Sequence, residues 1–358
     1  MTYGICSRTQ SSSGIGDGGC NWMMNYPRIP LPSRSDTLWK YTSWKRIHPT
    51  KVEEMPPADA IKFSIGEDFH LDDSEEIARS FLHSISPKCK KLSLVNESAK
   101  LDLEVNGKIS CGELFIESRG DSTLAIRLKG GCDWTGLRIL GDVTGNLSVS
   151  FINELEQDSN LLRCDNWIVN RNSTLELGTL SVGGKLNKSD IRIELKSQGS
   201  DLRCGIASNG NKTRNDDHHI EIQHSVGHTT SSLVMHASCN DASRSIGTGM
   251  LKICEGADGS DAGQVFRNLL LSEKSRADAI PGLEVLADDV KAAHGAASAP
   301  VDKEQIFYLS SRGLSVQESS SLIVEGFLMD AFRQVKNPDT VSHLREGLLS
   351  HLEGLITG

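Results

Sequence analysis

The sequence predicts a mainly β protein, with a large core of short strands, a mixed segment before it and a helical part after it. Three observations carry this. From Leu101 to Ile253 apolar residues recur with a period of two, as where Leu101, Leu103 and Val105 alternate with Asp102 and Glu104. Gly, Asn, Asp and Ser separate these runs, with no helical stretch between them. After Asp302 the spacing turns helical, with Gln305 three residues beyond Asp302 and Glu318 three beyond Ser315. Periodicity leaves a sandwich, a barrel and a parallel solenoid open. Many very short strands over roughly 150 residues nonetheless suit stacked rungs, each burying its face against its neighbours. No strict repeat motif is visible.

Residues 1–30 are expected to form a flexible tail, since Ser and Gly dominate its start and SSSGIGDGGC lacks the Gly-Lys-Ser/Thr ending of a phosphate-cradling loop. A helix beginning at Trp22 is cut off by Pro27, Pro30 and Pro32. Residues 31–97 form the mixed segment. In it Trp39, Tyr41 and Trp44 alternate with polar residues and offer an apolar edge to whatever follows. Ser74, with Ile77, Ala78, Phe81 and Leu82 after it, marks a short amphipathic helix, and Lys88, Lys90 and Lys91 form a solvated edge before the first strong strand. The core spans 98–300, with strands of roughly three to six residues, one face buried and the other exposed. Its last strands are carried by Leu269–Leu271 and Leu283–Leu286. Residues 301–358 read as helices, one ending at Gly313, one beginning at Ser315 and one near Thr340. The last two present stripes, Leu322, Gly326, Phe327, Ala331 and Val335 on one and Val341, Leu344, Leu348, Leu352 and Leu355 on the other. They can pack as a hairpin around Asn337 and Pro338.

A net charge of -9 and 5% aromatics argue against nucleic acid or an anionic membrane as partner. With no run of 18 apolar residues and no leader pattern, a soluble cytoplasmic protein is expected. The nine cysteines lie far apart, without a Cys-x-x-Cys pair, so most are read as small buried hydrophobes. The Asn-x-Ser/Thr triplets at Asn96, Asn146, Asn172, Asn187 and Asn211 are read as turns. The region 216–236, with Asp216, Asp217, His218, His219, His224, His228 and His236, lacks the helical setting of a metalloprotease motif, and its histidines are read as surface turn residues.

Two separated stretches carry a resemblance. RNLLLSE, ADDVK, the pair His294-Gly295, EQIFYLSSRGL and IVEGF follow one another between residues 267 and 327, and LPSRSDTLWKYTSWKRI occupies 31–47. Together they resemble the SufB/SufD family of iron–sulfur cluster assembly proteins, of the SufD type. The resemblance implies a right-handed parallel β-helix core with a short N-terminal segment and a C-terminal helical subdomain. It implies a non-enzymatic subunit that pairs with a SufB-like scaffold through the C-terminal end of its core. A SufC-like ABC ATPase would dock on the helices beyond, through Leu322, Phe327, Phe332, Leu344 and Leu348. A stand-alone homodimer is the alternative within the family, and a polysaccharide-active β-helix enzyme the alternative outside it.

By the same resemblance His294 falls on a histidine that holds iron or a transient iron–sulfur cluster at the subunit interface, with no intrinsic cofactor implied. Asp288, Asp289 and Lys291 lie just before it. The chain departs from the family twice. Ala292 stands where SufD proteins have a cysteine, and Ser272 where SufB proteins have their principal cluster cysteine. Each change removes a soft thiolate ligand and leaves nothing of comparable affinity for iron.

Overall fold

The computed structural model describes residues 25–33 and 35–357. The core is a solenoid of about 8 turns with helices after it. Ahead of it come α1 (Trp44–Ile47), three short strands β1 (Asp59–Ala60), β2 (Lys62–Phe63) and β3 (Glu67–Phe69), and α2 (Ile77–Ile85). The first rung is β4 (Cys89–Val95) with β5 (Ser98–Val105). β6 (Ile109–Gly130) and β7 (Trp134–Leu155) each run unbroken through both arms of a rung. Five further rungs are strand pairs: β8 (Asn160–Val169) with β9 (Thr174–Ser181), β10 (Leu186–Leu195) with β11 (Asp201–Gly210), and β12 (Asn215–His224) with β13 (Thr230–Cys239). β14 (Arg244–Ile253) with β15 (Asp261–Leu270) and β16 (Arg276–Val285) with β17 (Lys291–Pro300) complete them. The change from strand to helix falls between Pro300 and Lys303, where α3 (Lys303–Ser311) begins. α4 (Val316–Met329) and α5 (Pro338–Thr357) follow.

All pairing between rungs is parallel and makes two sheets. One stacks β8, β10, β12, β14 and β16, the other β9, β11, β13, β15 and β17. The register step is not constant. It is 24 residues from Cys89 to Glu113 and 32 from Arg244 to Arg276, which is why no fixed repeat can be seen in the sequence. Strands of 10 residues replace the expected three to six. Every backbone group of a middle rung meets a rung on each side, so the ladder continues through bends that interrupt the side-chain alternation.

Between the sheets, matching positions stack into columns. One runs Ile116, Gly141, Trp167, Ile193, Ile222 and Leu251. Trp167 fits because its neighbour is glycine, for a Cβ at Gly141 would lie 2.0 Å from the indole. Burying each such side chain contributes roughly 1.5–3 kcal/mol.

The outer faces are covered too, contrary to the expected exposed face. Tyr26, Trp39, Trp44, Phe81 and Leu82 cover the first sheet over Cys111, Leu162 and Cys164. Tyr26 thus lies packed inside the stretch expected as a tail, while residues 1–24 are outside those described. α2 is fastened by Arg79, which donates to Asp190 at 2.5 Å, to Asn166 at 2.5 Å and to the Asp165 carbonyl at 3.1 Å. On the second sheet, α4, α5 and the turn between them bury Ile152, Leu180, Ala207 and Val234. Two glycines aligned in register, Gly178 and Gly205, let this hairpin close in. A Cβ on them would meet Leu344 at 2.4 Å and the Ala331 carbonyl at 2.5 Å.

The two ends of the solenoid differ. At the first rung β3 pairs antiparallel with β4 and β2 with β5, so short strands blunt the edge. At the last rung β16 and β17 pair only with β14 and β15 across the rungs, and their outer edges meet no strand among the described residues.

Candidate functional site

His294 lies on this open end. In β17 it stands in register with Gln264, and the column behind it is Leu233, Cys204 and Leu177. Those four are buried between the sheets, whereas His294 is exposed because no rung follows. Gln264, the last covered member, donates from Nε2 to the Gly282 carbonyl at 2.6 Å. Ala292, at the position of the family cysteine, packs its methyl group against the end of the core. Asp289 is engaged in a turn, its amide donating to Asp258 at 3.2 Å and its carbonyl accepting from Gly259 at 2.7 Å. Among the described residues no group of three His, Cys, Asp or Glu side chains could hold a metal. Ser272 is a turn residue, donating to the Asp241 carbonyl and accepting from the Ser275 amide.

The described cysteines are all free thiols, and most are buried, as expected; Cys6 and Cys20 lie outside the described residues. Burial pushes the Cys164, Cys204 and Cys239 thiols up to about 12, so they stay protonated and unreactive.

The histidine-rich region is a correction. Only His228 is an exposed turn residue, with a left-handed φ of 57°. His218, His219, His224 and His236 are strand residues buried in the protein. Neighbouring positions of a strand face opposite ways, so His218 and His219 can both be buried only where both faces of the sheet are covered. His224 sits between hydroxyls of Thr229 and Ser231, each at 2.7 Å, and burial lowers its pKa to about 4.

The expected docking residues also divide. Phe332, Leu344 and Leu348 are buried against the second sheet and hold the hairpin in place, so they offer no surface. The sequence shows the apolar stripe but not which neighbour covers it. Phe327 is half-buried, stacked on His236 with ring centroids 4.6 Å apart. Leu322 is 49% exposed, joined by Phe307 at 76%, Tyr308 at 57% and Val316 at 64%. α3 buries none of its residues, and sequence reasoning missed this patch although the adjacent Ile306, Phe307 and Tyr308 fit no single helical stripe.

The fold is thus a capped parallel β-helix with one open end among the described residues, beside which Phe307, Tyr308, Val316 and Leu322 stand exposed. Residues 136–327, from β7 to α4, match the family model for the SUF system FeS cluster assembly, SufBD core domain. The chain belongs to that family. It is 30% identical over 146 residues to the iron–sulfur cluster assembly protein SufD of Escherichia coli (strain K12), covering 41% of this chain and 34% of that protein. The SufD of Bacillus subtilis (strain 168) is 31% identical over 185 residues, 51% of this chain and 41% of the relative. SufB of the same organism is 29% identical over 162 residues, 45% and 35%. The chain therefore spans well under two thirds of the length of these relatives.

Proposed function

We propose that this chain is a SufD-like, non-catalytic subunit of a cytoplasmic iron–sulfur cluster assembly complex, pairing through its open end with a SufB-like scaffold. The difference between the two ends of the solenoid carries this. One edge is blunted by β2 and β3, while the other presents unpaired strand backbone of β16 and β17. Phe307, Tyr308, Val316 and Leu322 are the surface on which a SufC-like ATPase docks. His294 supplies one imidazole donor at the interface. Because the described residues bring no ligand set around it, iron or a transient cluster there would draw its other donors, thiolates above all, from the partner.

The experiment is anaerobic reconstitution of the full chain with SufB-like and SufC-like partners, reading co-purification, iron content and cluster absorbance. The expected result is a complex of all three whose iron content falls in His294→Ala without loss of association, and rises in Ala292→Cys. A self-associated chain that ignores the scaffold would replace this reading with a homodimer. Failure to bind either partner would remove it.

A further inference from the structure

Two histidines of α5, His343 and His351, lie about two turns apart, the first against Arg127 of the core and the second with its Nε2 buried at a cleft. Arg127 of β6 donates from Nε to His343 Nε2 at 3.1 Å, and His343 Nδ1 lies 2.8 Å from the Ser150 hydroxyl. A guanidinium has no acceptor, so this contact requires an unprotonated Nε2. A second proton would set an N–H against an N–H and a cation against a cation. His351 lies where α5 borders a cleft of about 770 Å³. Its Nε2 is buried without a hydrogen-bond partner among the described residues, and the charge acting on it is that of Arg214.

We propose that α5 is held on the β-core by a pair of neutral histidines, and that proton uptake at His343 and His351 releases the C-terminal helices while the solenoid stays folded. His343 is also faced by Lys100 and Asp102 of β5 and by Glu346 of its own helix. Asp133, Glu154, Glu156 and Asp158 line the cleft beside His351. Burial comes first for both, and it pushes their pKa values down, that of His351 to about 4 from an ordinary 6.5. His236, at the end of α4, differs. Its Nδ1 donates to the Phe327 carbonyl at 2.7 Å, but its Nε2 lies 3.8 Å from the Asp330 carboxylate, with Arg267 and Arg333 also near, so an added proton there has a partner.

The sign follows from linkage. Detached helices bind protons at about pH 6.5 and docked helices only at lower pH, so docking is strongest above 6.5 and weakens as pH falls below it. His351 alone weakens docking about 30-fold at pH 5.

The test is hydrogen exchange of the full chain between pH 7.5 and 5, corrected for intrinsic rates. Protection of residues 338–357 should fall by at least about tenfold in the wild type. It should stay nearly level in His343→Gln/His351→Gln, where glutamine can still accept from Arg127 and donate to Ser150. Level protection in the wild type, or an unchanged loss in the double variant, overturns the proposal. Should that variant misfold, imidazole titration of the wild-type chain by NMR decides. Apparent pKa values at or above 6.5 for both rings would equally overturn it.

Discussion

The hairpin is clamped to the core at one carboxylate. Glu176 of β9 is buried, and its Oε1 accepts from the Lys336 amide at 3.1 Å and from Arg203 at 2.8 Å. Its Oε2 accepts from the Asn337 amide at 2.9 Å and from the Ser148 hydroxyl at 3.2 Å. Glu176→Ala removes all four contacts. Arg203 is partly exposed and regains water, and Ser148 retains Thr340 at 2.8 Å, so the uncompensated loss falls on the two amides that open α5. A hydrogen bond to a charged group is worth about 1.5–3 kcal/mol, and Lys336 is exposed enough to regain part of its share. The expected cost is about 3–4 kcal/mol, confined to the attachment of α4 and α5. Hydrogen exchange should show residues 338–357 losing protection by roughly two orders of magnitude or more, with the rungs from β8 to β14 unchanged. Glu176→Gln, which keeps the shape and one acceptor, should lose about half as much. Native-like protection of α5 in Glu176→Ala would refute the clamp, and an equal loss in the rungs would show that hairpin and core unfold as one unit.

Other changes separate the layers. Gly141→Ala forces a methyl to within 2.0 Å of the Trp167 ring and should lower stability by about 1–3 kcal/mol or more in denaturant unfolding, without affecting docking of a partner. Leu344→Ala should cost about 2–5 kcal/mol by opening a void over Gly178, whereas Phe307→Asp should leave stability within about 0.5 kcal/mol and abolish ATPase co-purification. Arg79→Ala leaves the buried Asp190 with Arg192, at 3.2 Å, as its one remaining charged partner in a hydrogen bond, at a cost of about 1–3 kcal/mol read by thermal unfolding. In the intact protein Arg79 and Arg192 hold the Asp190 carboxyl well below the usual carboxylate range. Its contribution is therefore present above about pH 4 and lost only below that, which intrinsic tryptophan fluorescence around Trp39 and Trp44 can follow.

What the sequence disclosed was whatever depends on local chemistry. Asp302 caps α3, and Ser315 with Glu318 forms the expected capping box on α4. Gly313 between them takes a φ of 98°, and Ile77, Ala78, Phe81 and Leu82 all lie buried on α2. What stayed hidden depends on which layer covers a face. Leu161 and Leu162 are consecutive and both buried, because one turns toward the solenoid interior and the other toward the N-terminal cap. A strand under a cap loses the alternation by which it would be recognised, and its polar residues become buried groups with partners far along the chain. Asp190 beside Arg79, and His236 beneath Phe327, illustrate this. Residues 79 and 190, or 236 and 327, share no local signal, so they read as surface residues until the layers are assembled.

The same layering explains why His294 is exposed at an end of the solenoid while most of the hairpin residues expected to dock an ATPase are buried. His294 lies on a terminal rung with nothing beyond it, so its position in the chain order was enough to put it at an end. The hairpin residues could have faced outward or inward, and the deciding feature is a pair of glycines more than a hundred residues upstream. Gly178 and Gly205 draw Leu344 and Phe332 inward and leave α3 with no layer to lie on. α3 is tied on both sides. The Val301 amide continues the ladder to the Leu270 carbonyl at 2.9 Å, and α4 rests on the second sheet through Val324 and Leu328. Only the four residues Arg312, Gly313, Leu314 and Ser315 separate α3 from α4. A force applied to Phe307 or Tyr308 therefore cannot be absorbed in a long loop. It acts on β17, the strand that carries His294, and the surface proposed for the ATPase is mechanically continuous with the end proposed for the scaffold.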